Sequence, residues 1–134
     1  MLDMSSLTWQ TRAPYPYAKI IWDNPSLHYN GVFIVFGGEI VKPGDVFDLT
    51  GQIASYNPIN DKWTSLGQMK TPRKRHAIIA TTDYILIVGG QMKLNNHSSE
   101  RCVLSSNSIT CTRQPPSFQY SSTHGFAIEE NYCY

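Results

Sequence analysis

Two apolar runs set the pattern of this chain. Val32-Phe33-Ile34-Val35-Phe36 ends in Gly37-Gly38, and Tyr84-Ile85-Leu86-Ile87-Val88 ends in Gly89-Gly90, with Gly37 and Gly89 52 positions apart. Unbroken β-branched and aromatic runs of this length predict strands buried on both faces, and a glycine pair lets the backbone turn without a Cβ clash. The fixed spacing predicts an internal repeat. After the first copy, Tyr56-Asn57-Pro58-Ile59-Asn60-Asp61-Lys62-Trp63 sets an aromatic on each side of a short polar turn, a hairpin signal that predicts strands over Gln52–Tyr56 and Lys62–Leu66. Tyr17 to Trp22 is rich in strand formers and predicts the first strand of the first unit, broken by Asp23-Asn24-Pro25-Ser26. Glu39 to Gly51 then reads as a long loop through Lys42-Pro43-Gly44-Asp45. The second unit is predicted as strands over His76–Ala80, Tyr84–Val88, Glu100–Leu104 and Ser108–Arg113, with a turn at Thr82-Asp83 and a loop through Lys93–His97. No segment carries the 3.6-residue apolar period of a helix, so the expected class is all-β.

An apolar strand closing on Gly-Gly, a Tyr, a Trp after six intervening residues, and then Arg73-Lys74-Arg75-His76-Ala77 opening the next unit together resemble the kelch repeat. The period agrees, since kelch units run about 50 residues with four strands to a propeller blade. The resemblance covers most of the chain. It implies an incomplete kelch-type β-propeller of four-stranded antiparallel blades, with Gly37, Gly38, Tyr56, Trp63, Arg73, His76, Gly89, Gly90 and His124 as the repeat residues. In this reading 1–14 is the last strand of a preceding blade, with Trp9 the counterpart of Trp63. Blade one spans 15–72, blade two 73–116, and 117–134 begins a third blade, where His124 aligns on His76 and Tyr132 on Tyr84. Blade two departs from the pattern: Leu104 and Cys111 stand where the Tyr and Trp belong, leaving the packing of its outer hairpin open.

The family reading implies a rigid scaffold that binds another protein through its loops, Glu39–Gly51 and Gln91–Ser99, which would lie side by side on adjacent blades. Propellers need about four to eight blades, so the chain is expected to be a fragment. Alone, it should expose Ile20, Phe36, Ile79 and Ile87 where neighbouring blades would pack.

Composition narrows the chemistry. Eleven basic against ten acidic residues give a formal charge of +1, which draws the chain neither to nucleic acid nor to an anionic membrane. No window approaches the about 18 apolar residues of a membrane span, and Met1-Leu2-Asp3-Met4-Ser5-Ser6 lacks the basic and apolar segments of a signal peptide. No nucleophile elbow, phosphate loop or His-Glu-x-x-His occurs, so no catalytic residue, cofactor or metal is expected and the chain reads as a non-enzyme. His76 and His124 occupy equivalent repeat positions and are read as serving the junctions between blades. His97, Cys102 and Cys111 offer zinc donors but lack the Cys-x-x-Cys knuckle. Some kelch propellers are copper-radical oxidases, which leaves a galactose-oxidase-like fragment as a lesser alternative, although no Tyr, Cys and His set carries over.

Lys70, Arg73, Lys74 and Arg75 read as solvated loop charges rather than a nuclear signal or anion patch. A hairpin turning at Ser106-Asn107 would set Cys102 opposite Cys111, within reach of a disulfide, against the rival of two reduced core cysteines. That pairing and the Asn96-His97-Ser98 glycosylation sequon point to a secreted or cell-surface protein, with a cytoplasmic adaptor as the alternative.

Overall fold

A computed structural model describes residues 2–3, 5–19, 21–93, 98–115 and 127–128. In chain order the strands are β1 (Leu2–Asp3), β2 (Thr8–Trp9), β3 (Ile21–Trp22), β4 (Ser26–Tyr29), β5 (Val32–Phe36), β6 (Glu39–Lys42) and β7 (Val46–Leu49). They continue as β8 (Gln52–Asn57), β9 (Lys62–Gln68), β10 (Ala77–Ala80), β11 (Ile85–Val88), β12 (Glu100–Ser105), β13 (Ser108–Arg113) and β14 (Ala127–Ile128). No helix occurs among the described residues, and none is therefore long and apolar enough to cross a membrane.

Two sheets form the body. The first runs β4-β5-β8-β9, all antiparallel, and the second runs β13-β12-β11-β10-β14, antiparallel except for the β10–β14 edge. Ile34, Phe36, Ile53 and Leu66 of the first sheet pack against Ile78, Ile85, Ile87, Cys102, Ile109 and Cys111 of the second, forming one core. Each such buried side chain contributes roughly 1.5–3 kcal/mol relative to exposure.

The repeat explains how the sheets face each other. Val35 and Ile87 are equivalent positions, as are Phe36 and Val88, because each pair is 52 residues apart. Yet Phe36 meets the core from the first sheet and Ile87 from the second. Neighbouring residues on a strand point to opposite faces, so the front of one sheet rests on the back of the next.

Several expectations are corrected. Phe36 and Ile87 are fully buried between the sheets instead of bare; Ile79 is half-buried and Ile20 lies outside the described residues. The first strand of the first sheet is Ser26–Tyr29 rather than Tyr17–Trp22, because Asn30-Gly31 turns the chain back so that Ser26 pairs with Val35 and Tyr29 with Val32. Both turn residues hold positive φ, 47° and 78°, the conformation an Asn-Gly hairpin turn requires. Of the Tyr17–Trp22 segment, Ile21 and Trp22 pair with Glu39 and Ile40 in a separate three-stranded sheet, β3-β6-β7. The long loop of 39–51 is itself a hairpin, since Pro43-Gly44-Asp45 closes β6 on β7 with Gly44 at φ 81° and Asp45 at φ 57°.

The outer segments also differ. Thr8-Trp9 pairs with Leu2-Asp3 in a two-stranded sheet, and Trp9 is 80% exposed, so it does not repeat the packing of Trp63. Ala127 and Ile128 do not open a sheet of their own: they run parallel to Ile78 and Ile79 as the fifth strand of the second sheet. His124, Tyr132, Asn96 and His97 lie outside the described residues.

Candidate functional site

Both glycine pairs stand at the same end of the sheets, called here the loop end, and the segment linking the sheets crosses both of them. A Cβ on Gly37 would lie 2.7 Å from the Arg73 carbonyl oxygen and 2.3 Å from Met69 Cε. A Cβ on Gly90 would lie 2.6 Å from the Lys74 carbonyl oxygen and 2.8 Å from His76 Cβ. The amide of Gly38 donates to the Arg73 carbonyl (2.9 Å), and Lys74 and Gln91 exchange backbone hydrogen bonds. The sequence thus needs glycine at these sites because another stretch of backbone lies against them.

Arg73 is fully buried, and its guanidinium uses all five donors. Nε donates to the Thr71 carbonyl (3.2 Å), Nη1 to the carbonyls of Gly89 (3.1 Å) and Ser98 (2.5 Å), and Nη2 to Ser98 Oγ (3.3 Å) and Glu100 Oε1 (2.8 Å). Glu100, equally buried, accepts from the amides of Lys70 (2.7 Å) and Thr71 (2.9 Å) as well. Burial pushes the guanidinium below its ordinary value, and Glu100 opposes that shift. A buried pair satisfied on both sides fixes the linking segment to the second sheet.

His76 sits beside this pair with both ring nitrogens buried and unpartnered. Burial, helped by the Arg73 charge, pushes its pKa down to about 3, so the ring is neutral. Sequence reasoning found Arg73 and His76 but missed Glu100, which nothing in the repeat pattern marks.

Tyr56 and Trp63 face each other across β8 and β9 with ring centroids 5.1 Å apart. The hairpin is tied down by the preceding chain: Trp63 Nε1 donates to the Ala13 carbonyl (2.9 Å), and Asp61 accepts from the Ala13 amide (2.9 Å) and the Tyr56 hydroxyl (2.7 Å). The Tyr15 ring packs edge-on to Trp63 at 5.1 Å, and burial, then the charge of Tyr17, raises its phenol to about 12. In the second sheet the corresponding hairpin is held differently. Cys102 and Cys111, both buried, are joined by a disulfide across β12 and β13 with Cα atoms 4.0 Å apart. Glu100 lies near these sulfurs, but its carboxylate is engaged by Arg73.

On this frame the loop end carries an exposed apolar tip. Val46 and Phe47, 56% and 60% exposed, crown the β6–β7 hairpin, and the Trp22 ring packs 5.5 Å from Phe47. Around them the charges are matched. Glu39 accepts from Lys74 Nζ (2.8 Å) and Trp22 Nε1 (2.6 Å), which holds its carboxyl below the usual range. Asp23 takes Arg75 Nε at 2.9 Å. Asp48 is clasped by Lys42 and, from the 91–99 loop, by Lys93, and these contacts depress its pKa strongly. The two loops that the sequence set side by side therefore touch through Asp48 and Lys93. A partial signal for the β6–β7 hairpin was present in its sequence: the apolar pairs Ile40-Val41 and Val46-Phe47 on either side of Pro43-Gly44-Asp45.

No protein-family model and no curated protein matches the chain. Among solved structures it is similar to YjhT, with 18% identity and a TM-score of 0.62 over 78% of this chain. The match spans 34% of the length of YjhT. At that identity the likeness is one of fold.

Proposed function

We propose that the chain is two neighbouring blades of a kelch-type β-propeller and serves as a non-catalytic module that binds a partner protein at its loop end. The repeated Gly-Gly motif, the equivalent His76 and His124 positions and the front-to-back stacking of the sheets support the propeller reading. The observation that carries the function is the exposed Val46–Phe47 tip, an apolar spot rimmed by matched charges on a hairpin braced by Trp22, Glu39 and Lys74. Interfaces concentrate their energy in such aromatic anchors surrounded by a polar rim. A setting outside the cytosol is the second reading, favoured by the Cys102–Cys111 disulfide.

The test is quantitative affinity capture from the source cells. A partner should be enriched by the wild-type chain and by Val103→Asp, placed on a different face, and lost with Val46→Asp/Phe47→Asp. Equal capture by the double variant would overturn the proposal.

A further inference from the structure

The opposite end of the two sheets holds a cleft unrelated to the loops. Three tight turns converge there: Asn30-Gly31 between β4 and β5, residues 58–61 between β8 and β9, and Ser106-Asn107 between β12 and β13. They ring a space of about 540 Å³ that opens between the sheets. That volume lies within the range of small-molecule sites, about 300–1,000 Å³.

The chemistry of the walls is specific. Its rim carries the side chains of Asn30, Asn60, Ser106 and Asn107, and none of these four makes a side-chain hydrogen bond among the described residues. Leu66, Leu104 and the Tyr29 ring contribute to an apolar floor, while Trp63 borders the cleft through its strand and turns its indole to the other face, against Tyr15 and Ala13. Lys62 is the single charged residue of the lining. An anionic ligand would call for more cations than one. A wholly apolar ligand would strip water from the amides and return nothing.

An asparagine side chain donates and accepts at once, as does a sugar hydroxyl. A pyranose ring offers hydroxyls around its edge and C–H groups on its faces, which matches an amide rim over an apolar floor. We propose that this cleft is a binding site for a neutral saccharide, its hydroxyls held by Asn30, Asn60 and Asn107 and its apolar face set on Leu104 and Tyr29. The turns are already ordered, which lowers the entropic cost of binding. Asn57 Oδ1 accepts the Ile59 amide (2.9 Å), and Asn30 is locked in its left-handed conformation at φ 47°. An extended peptide fits less well. The edge strands β9 and β13 close on each other where a Cβ at Gly67 would lie 2.5 Å from the Ile109 carbonyl oxygen, which leaves little free ladder to join.

The experiment titrates the full chain with lactose, cellobiose, maltose and diacetylchitobiose, reading side-chain amide and tyrosine ring resonances by NMR and heat by calorimetry. At least one of these sugars should saturate, shifting the Asn30, Asn60 and Asn107 amides and the Tyr29 ring. Asn60→Ala/Asn107→Ala should weaken binding by about tenfold or more while leaving the rest of the spectrum in place. Phe47→Asp at the loop end should not change it. Three results would each overturn the proposal: no saturating shift at these groups with any of the four sugars, undiminished binding by the double variant, or occupation of the cleft by an uncharged peptide in place of a sugar.

Discussion

The charged side chains at the loop end and the amide side chains at the tips of the turns at the other end are treated in opposite ways. At the loop end, Arg73, Glu100, Lys74, Glu39, Arg75, Asp23, Asp48, Lys42 and Lys93 are all engaged with one another or with the backbone. At the turn end, Asn30, Asn60, Ser106 and Asn107 border a cleft with no side-chain hydrogen-bond partner among the described residues. The difference teaches which groups carry structure and which are left for a ligand. A polar group satisfied internally fixes backbone, whereas one left to water can exchange that water for a ligand at small cost.

Removing Arg73 should test the comparison most severely. Arg73→Ala strands Glu100 in the core and should destabilise the protein by about 3–5 kcal/mol in denaturant unfolding. Replacing both residues, as Arg73→Met/Glu100→Leu, should cost much less than Arg73→Ala, because no charge is then left buried and unpaired. Gly90→Val comes next: it forces a β-branched residue to φ 86° and drives its Cβ into the Lys74 carbonyl. A loss of about 2–4 kcal/mol is expected from backbone strain and overpacking combined.

The disulfide holds the second hairpin from within. Cys102→Ala/Cys111→Ala opens a link across 9 positions and should lower stability by about 2–3 kcal/mol, read as a fall in the unfolding midpoint. A smaller effect is expected from pH. The folded pKa of His76, about 3, lies below its unfolded value of about 6.5, so the neutral ring's contribution is fully present above pH 6.5 and declines as pH falls toward 3. Between about pH 7.5 and pH 5 this amounts to about 2 kcal/mol, and His76→Phe should flatten that slope. The turn end should stand apart from all of these. Asn60→Ala and Asn107→Ala are expected to leave the melting curve within about 0.5 kcal/mol of wild type, and a large loss at either position would erase the distinction between the two ends.

How much of this was legible in the sequence depends on which force placed each element. Strands β5, β8, β11, β12 and β13 follow from apolar runs and hairpin signals, although β12 and β13 bury only alternate residues and Phe33 of β5 is exposed. Strand β4 was hidden: Ser26-Leu27-His28-Tyr29 is short and polar, and only Asn30-Gly31 announces the turn that pairs it with β5. The β6–β7 hairpin was obscured by Pro43, which suggested a break where the chain simply turns. At the loop end, Arg73 and His76 stood out through the repeat, but Glu100 did not, because the partner of a buried charge is chosen by tertiary proximity. The cleft at the turn end could not be read at all, since Asn30, Asn60 and Asn107 belong to three separate turns that only the stacked sheets bring together.

The front-to-back stacking has a further consequence for assembly. A contact between unlike faces has no two-fold axis, so repeating it from molecule to molecule yields a ring or a fibre and never a closed dimer. The back of the first sheet, where Tyr56 and Trp63 lie, is the face on which the next unit in such a series would sit. Here Ala13 and Tyr15 already occupy part of it. The N-terminal segment thus already covers part of the face that a further unit would have to meet.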